Sequence, residues 1–144
     1  QKQSIGKKVV IIGGGQVGLE TADFLIADGR EVIILEMLKK VGIDMSPKAR
    51  IILLDKLIQH GVEILTQTKV VSADESGIVF ERGGLLNRLA DVDTIIIAIG
   101  AISEEPAIEA SKDSGVPVRM VGDCLRPRKA FDAINEGFLT GMEI

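Results

Sequence analysis

The chain has 144 residues, a net charge of −4 and 46% hydrophobic residues, which suits one domain with a substantial buried core. Its charges of both signs are scattered, and it contains four Phe but no Trp or Tyr. It therefore lacks the basic stripe and the stacking aromatics that nucleic-acid binding uses. A single cysteine excludes an internal disulfide and a thiolate-held iron–sulfur cluster within this chain. No apolar run approaches the length that a bilayer requires, so we expect no membrane partner and a cytoplasmic location.

The most informative stretch is a short apolar strand that leads into a glycine-rich turn. Residues 8–12 are rich in β-branched side chains, as expected for a strand buried on both faces. Gly13, Gly15 and Gly18 then give the G-x-G-x-x-G spacing of a dinucleotide site. The first glycine permits a sharp turn, the second lets a pyrophosphate approach the backbone, and the third lets the following helix pack closely on the strand.

The context of this turn is that of a βαβ unit. A helix is predicted over residues 17–27 and a second strand over residues 31–35, with Glu36 at its end. The acid follows the turn at close to the spacing of about 20 residues expected for a ribose-binding carboxylate. A glycine turn that binds nothing is the alternative, but the complete context favours a nucleotide site. Its phosphates would be held by free N–H groups at the helix start, in a cradle that also includes Gly14, Gln16 and Val17.

A second helix is predicted after a loop. Ser46 suits its N-cap and Pro47 its first position, and His60-Gly61 is expected to end it. The predicted buried stripe consists of Ile51, Leu54, Leu57 and Ile58. A short strand should follow over residues 62–66.

The pattern then changes to short strands divided by turn residues. Strands are predicted over residues 70–73, 77–82 and 85–89, with Gly83-Gly84 as a hairpin turn. This part predicts a small antiparallel meander attached to a parallel sheet. The predicted fold class is therefore α/β, a Rossmann-like parallel sheet with flanking helices and a small antiparallel β-meander.

The last part of the chain contains two more candidate strands. One covers residues 94–99 and the other residues 116–121, separated by a polar stretch over residues 103–113 that we expect to be a loop or short helix. A final helix is predicted from residue 127 onward. Its apolar positions are Phe131, Ile134, Phe138, Leu139 and Met142.

Both of these strands end in small residues. Ala98-Ile99-Gly100 ends the first, and Gly122-Asp123 ends the second. Small residues at the carboxyl edge of a parallel sheet let a flat ligand lie against the backbone, and an Asp there can accept hydrogen bonds from a sugar-like hydroxyl. A plain glycine turn and a capping Asp explain the two motifs equally well when each is taken alone.

Taken in order, the three motifs resemble one family. Gly13-Gly14-Gly15-x-x-Gly18-x-Glu20, Ala98-Ile99-Gly100 and Gly122-Asp123 are similar to the pyridine-nucleotide domain of the flavoprotein disulfide-reductase superfamily. The resemblance covers nearly the whole chain. It is strongest to the C-terminal half of the old-yellow-enzyme-like reductases, the group of 2,4-dienoyl-CoA reductase, 2-enoate reductase and trimethylamine dehydrogenase.

The resemblance implies a domain organisation. Residues 1–7 would be a linker, residues 8–115 the NAD(P)-binding domain, and residues 116–144 the C-terminal segment of an FAD-binding domain whose remainder is missing. The first FAD glycine fingerprint and the paired cysteines of disulfide reductases are not in this sequence. We therefore expect a fragment of a longer enzyme, inactive alone, whose partners are the missing FAD-binding and substrate domains. Its final helix would otherwise fold back, self-associate or become disordered.

The resemblance also implies roles for single residues. Glu36 would bind the adenosine ribose and favour NAD over NADP by repelling a 2′-phosphate. Glu20 would face the nicotinamide, Ala98 and Gly100 would border it, and Val70 would offer a backbone contact to the adenine. Gly122 and Asp123 would hold the ribityl chain of FAD. Hydride transfer from NAD(P)H to FAD needs no catalytic side chain here, and enoate or dienoyl-CoA reduction is the expected overall reaction.

Two alternatives stay open at this point. One is a non-catalytic adenine-nucleotide module with the same fold. The other is a methyltransferase, which also places a glycine loop and a ribose-binding acid on a βαβ unit. The meander and the Gly122-Asp123 ending weigh against the methyltransferase.

Overall fold

The computed structural model describes residues 4–104, 111 and 115–143. These form two compact units, one up to Gly100 and one from Ala101 onward. The boundary predicted between residues 115 and 116 lies within the second unit, and its assignment to an FAD domain stays a prediction.

A four-stranded parallel sheet forms the centre of the first unit. Its strands are β1 (Lys8–Ile12), β2 (Glu31–Leu35), β3 (Glu63–Leu65) and β7 (Thr94–Ile97), in the order β3-β2-β1-β7. All neighbouring strands are parallel. The predicted bounds of β1 and β2 are confirmed, because a strand covered on both faces is visible in the sequence as an apolar run.

Two helices cover one face of this sheet. Helix α1 (Gln16–Ala27) and helix α2 (Pro47–Gln59) contribute Leu19, Leu25 and Leu57 to a core. These three side chains are at most 1% exposed, and each contributes about 1.5–3 kcal/mol by its burial.

The predicted stripe on α2 is only partly right. Leu57 is fully buried, but Ile51 and Ile58 are 58% and 62% exposed. Ser46 is the N-cap and Pro47 the first helical residue, although the Ser46 side chain makes no capping hydrogen bond.

An antiparallel meander covers the other face of the sheet. It consists of β4 (Thr68–Asp74), β5 (Gly77–Arg82) and β6 (Leu85–Leu89). Val10 packs with Ile78 of the meander on this side, whereas its neighbours on β1 belong to the helix side. The predicted hairpin is confirmed: both turn glycines have positive φ, at 61° and 78°, as a two-residue turn of this kind requires.

The second unit contains one turn of 3₁₀ helix (Gly122–Cys124) and helix α3 (Ala130–Met142). The strand predicted over residues 116–121 is wrong, since these residues have no regular structure. Most of the stretch at residues 103–113 lies outside the described residues. In this single chain the apolar residues of α3, including Phe131, Ile134 and Phe138, are exposed.

Candidate nucleotide-binding site

The first glycine of the fingerprint connects three strands at their carboxyl ends. Gly13 follows β1 with φ of 109°, and its N–H donates to the carbonyl of Leu35 at 2.9 Å. A Cβ at this position would lie 2.3 Å from the carbonyl oxygen of Ala98. Conformation and space both demand glycine here, so this residue serves the fold of the turn itself.

The last glycine of the fingerprint brings the helix onto the turn. A Cβ on Gly18 would lie 2.0 Å from the carbonyl oxygen of Gly13 and 3.5 Å from Cγ2 of Ile11. Helix α1 can therefore approach β1 only with glycine at this position. The close packing of helix on strand that the sequence motif predicts therefore explains why this residue is glycine.

The middle position differs because the protein backbone does not fill the space beside it. Gly15 is the N-cap of α1, with φ of −73° and ψ of −177°. The nearest atoms to a Cβ there would be carboxylate oxygens of Asp44, at 3.4 and 3.7 Å. The missing side chain thus leaves an approach to the start of the helix that is lined most closely by the exposed Asp44 side chain, and such a helix start fits a diphosphate group.

Glu36 connects the end of β2 to the glycine turn. Its side chain is buried, and Oε2 accepts a hydrogen bond from the Gly14 N–H at 2.6 Å. Oε1 accepts another from the Leu38 N–H at 2.7 Å. A carboxylate offers about four lone-pair positions, so two remain for further donors such as ribose hydroxyls.

Gly14 is enclosed by the loop after β2. A Cβ there would lie 2.4 Å from Cγ1 of Val41, and the Gly14 carbonyl accepts the Gly42 N–H at 2.7 Å. Arg50 in turn donates from Nε to the Val41 carbonyl at 2.6 Å. The loop is therefore fastened to the turn by packing and by hydrogen bonds.

The remaining residues at the start of α1 have different environments. Val17 and Glu20 are exposed, whereas Gln16 is half-buried. Nε2 of Gln16 donates to Oε1 of Glu20 at 2.9 Å, which places both side chains along one face of the first turns. The backbone N–H of Gln16 points to the carboxylate of Asp44, with both oxygens at 3.0 Å.

The other predicted contacts of the first unit lie at two places. Ala98 follows β7 beside the glycine turn, and its N–H donates to the Ile12 carbonyl at 2.8 Å. Gly100 is exposed with φ of 111°, and among the described residues no atom beyond its chain neighbours lies within 4 Å of its Cβ position. Val70 lies on β4, where its half-buried side chain packs against the core between the meander and the sheet. Its side chain therefore serves packing, and only its backbone is available for the predicted adenine contact.

Gly122 and Asp123 form a turn in the second unit. The Gly122 N–H donates to Oε2 of Glu136 at 2.8 Å, and Arg128 makes an ion pair with the same carboxylate. The Arg128 hydrogen bond, with the Gly122 N–H second, lowers the pKa of Glu136 below its usual value of 4.5. Asp123 is exposed and accepts the Arg128 N–H at 3.3 Å.

The sequence motif did not identify Asp44 or Val41 as part of this site. Both lie in the loop between β2 and α2, for which no fingerprint position is defined. The sequence does contain one indication of their role: the loop after β2 is short, contains a glycine and an acid, and has to return toward the glycine turn. In the described part of the chain, no cluster of His, Cys, Asp or Glu has the arrangement of a metal site, and no helix is both long and apolar enough to cross a bilayer.

This arrangement of turn, acid and strands agrees with the comparison to known families. Residues 1–137 match the family model of pyridine nucleotide-disulphide oxidoreductases. The chain belongs to this family. The resemblance inferred from the three sequence motifs is thereby confirmed.

Two relatives show what this chain is similar to. It is 34% identical over 135 residues to bilirubin reductase from Mediterraneibacter gnavus, covering 92% of this chain and 21% of the relative. It is 30% identical over 139 residues to NADH oxidase from Thermoanaerobacter brockii, covering 96% of this chain and 21% of the relative.

A solved structure of 2-naphthoyl-CoA reductase in complex with 2-naphthoyl-CoA superposes with a TM-score of 0.86 at 25% identity, covering 99% of this chain and 22% of that one. The chain thus spans about a fifth of the length of these relatives.

Proposed function

We propose that this chain binds NADH and holds it for hydride transfer to FAD within a longer flavoprotein. The observation that carries the proposal is the geometry of the turn. An oxygen of the buried Glu36 carboxylate lies 2.6 Å from the Gly14 nitrogen. The next residue, Gly15, has no side chain to block the approach of a ligand to the N-terminus of α1. A ribose acceptor and a diphosphate cradle thus adjoin, as one half of a dinucleotide requires.

The same carboxylate supports NAD as the preferred nucleotide. Glu36 has lone pairs free to accept the two adenosine ribose hydroxyls, while its charge repels a 2′-phosphate. The neighbouring Lys39 and Lys40 are exposed, and their charges oppose this repulsion. Because Glu36 is held in place by two backbone donors, we expect its effect to dominate.

The chemistry of the reaction comes from the cofactors. The chemistry that a bound FAD would supply is acceptance of a hydride from NADH together with one proton. The chain's own contribution is to hold and orient the dinucleotide. Glu20 would face the nicotinamide, and Ala98 and Gly100 would border it. In the described part of the chain, the space next to the Gly100 backbone is open. The Val70 backbone would contact the adenine.

The second unit would complete the site for FAD. Gly122 and Asp123 would approach the ribityl chain, in a turn that Glu136 and Arg128 hold in shape. The rest of the FAD-binding domain and a substrate domain would come from the parent protein. Similarity to 2-naphthoyl-CoA reductase supports reduction of an enoate or dienoyl-CoA type substrate, and we place the parent protein in the cytoplasm.

Titration of the 144-residue chain tests the proposal. Calorimetry with NADH, NADPH and ADP should give NADH as the tightest ligand, and the chain alone should not oxidise NADH. Equal affinity for ADP and NADH would favour a non-catalytic adenine-nucleotide module. Binding of S-adenosylmethionine in place of NADH, or no heat with any of the nucleotides, would overturn the proposal.

A further inference from the structure

The feature that carries a further inference is the carboxylate of Asp44. It lies across the N-terminus of α1, with both oxygens 3.0 Å from the backbone nitrogen of Gln16. One of these oxygens is 3.4 Å from the Cβ position of Gly15. The carboxylate therefore occupies the space that the middle fingerprint glycine leaves open, and it accepts one of the first N–H groups of the helix.

We propose that Asp44 is an internal competitor for the diphosphate of the nucleotide, an autoinhibitory contact that ligand binding must displace. The inference rests on the proposed function. A carboxylate and a diphosphate are both anions that are stabilised at a helix N-terminus. They use the same donors and repel each other when both are present, so the cradle accommodates one of them at a time.

The anchored part of the surrounding loop does not need to move in this exchange. Asp44 is exposed, whereas Val41 and Gly42 before it are buried. Gly42 is held by the Gly14 carbonyl, and a Cβ on it would lie 2.8 Å from Cδ1 of Leu19. Rotation of the Asp44 side chain can thus empty the cradle while the anchored part of the loop stays in place, and exposed side chains change rotamer within nanoseconds.

The contact has a function beyond competition. Helix N-terminal N–H groups without partners need water or an acceptor, and Asp44 supplies an acceptor when no nucleotide is present. Weak or partial ligands, such as a single phosphate, would have to displace it without gaining the ribose contact at Glu36. Competition by Asp44 therefore favours ligands that contact both the N-terminus of α1 and Glu36.

The test compares Asp44→Asn and Asp44→Ala with Asp55→Asn, which removes one exposed aspartate from α2 outside the cradle. Calorimetry of each full chain with ADP and NADH, and with adenosine as a probe without phosphate, measures the effect. We expect both Asp44 variants to bind ADP roughly three- to tenfold more tightly, from loss of a like charge at the helix N-terminus. Adenosine affinity should not change, and Asp55→Asn should match the unmodified chain.

Amide hydrogen exchange, measured without ligand, accompanies the titration. The amide proton of Gln16 should exchange faster in Asp44→Ala than in the unmodified chain, while amides in the middle of α1 should be unaffected. Asp44 variants that bind ADP equally or more weakly than the unmodified chain would overturn the inference while leaving the proposed function in place. Absence of nucleotide binding by every chain, including Asp44→Asn, would instead overturn the proposed function and the inference with it.

Discussion

The carbonyl oxygen of Ala98 lies where a side chain on Gly13 would have to be, 2.3 Å from the Cβ position. At the carboxyl ends of β1 and β7, the backbone of Gly13 therefore lies against the backbone of Ala98, with no room for a side chain on Gly13. This relationship distinguishes Gly13 and Gly18, whose Cβ positions collide with backbone, from Gly15, where the nearest atoms belong to the Asp44 side chain.

Substitution of Gly13 by alanine should destabilise the first unit. The new Cβ would collide with backbone, and φ of 109° is a strained conformation for alanine. We expect a loss of about 3 kcal/mol in the free energy of unfolding, measured by urea denaturation. The matched variant Gly15→Ala has an ordinary φ and no contact under 3.4 Å, so it should cost about 1 kcal/mol or less. Equal stability of the two variants would contradict this distinction.

Gly15→Ala should instead weaken nucleotide binding. Its methyl group would project into the open approach to α1 and keep the diphosphate away from the helix N–H groups. We expect NADH affinity to fall by about tenfold or more, which corresponds to about 1.4 kcal/mol, in calorimetric titrations. Unchanged NADH affinity in a folded Gly15→Ala chain would show that the diphosphate does not lie there.

Glu36→Gln should affect both stability and nucleotide preference. The N–H groups of Gly14 and Leu38 bind different oxygens of Glu36, and glutamine replaces one of these oxygens by an NH₂ donor, so one of the two N–H groups loses its acceptor. We expect a loss of about 1–3 kcal/mol in stability and a smaller preference for NADH over NADPH. Thermal unfolding and paired titrations measure the two effects. Lys39→Gln, which changes an exposed charge nearby, should leave stability unchanged.

The turn at Gly122 should depend on pH through Glu136. Its pKa is lowered in the folded chain, first by Arg128 and then by the Gly122 N–H. The stabilisation is therefore fully present above the ordinary value of 4.5 and is lost as pH falls through the lower folded value. The amide proton shift of Gly122, followed by NMR, should titrate with a midpoint below 4.5.

Two variants check the origin of that titration. Glu136→Gln should abolish the shift change at Gly122. Asp74→Asn should not, although the pKa of Asp74 is also lowered, in its case by Ser76 and Arg88 in the meander. A midpoint at or above 4.5 for Gly122 would contradict the ion-pair explanation.

The exposed face of α3 should drive self-association of the isolated chain. Phe131 and Phe138 are 78% and 64% exposed, and apolar side chains grouped on one helix face favour burial against another surface. Sedimentation at increasing concentration should show association that Phe131→Ser with Phe138→Ser abolishes. Leu85→Ser, which changes an equally exposed residue in the meander, should not. A strictly monomeric chain with α3 formed would contradict the prediction.

The parallel sheet could be predicted from the sequence because its strands carry their own signal. Residues of β1 and β2 are apolar on both faces, and the glycine and acid that follow them fix the direction of the chain. The meander was predictable for a related reason, since Gly83 and Gly84 adopt without steric cost the positive φ that a two-residue hairpin turn requires at both positions.

Other parts depend on neighbours that periodicity does not report. Residues 116–121 have strand-like side chains, but a strand forms only when another strand pairs with it, and none does so among the described residues. Ile58 continues the apolar pattern of α2, yet no element in the described part of the chain covers it, and its side chain is 62% exposed. Asp44 was missed because its role comes from a loop returning to the turn, which is a tertiary relationship.

The glycine turn is fixed from several directions by contacts within the protein. Its residues hydrogen-bond to Leu35, Glu36 and Gly42, and α1 lies against it at Gly18. The entropy of ordering this backbone is consequently lost when the chain folds and not when the nucleotide binds. Association rates should then be set by diffusion and the Asp44 side chain, with no slow rearrangement of the main chain.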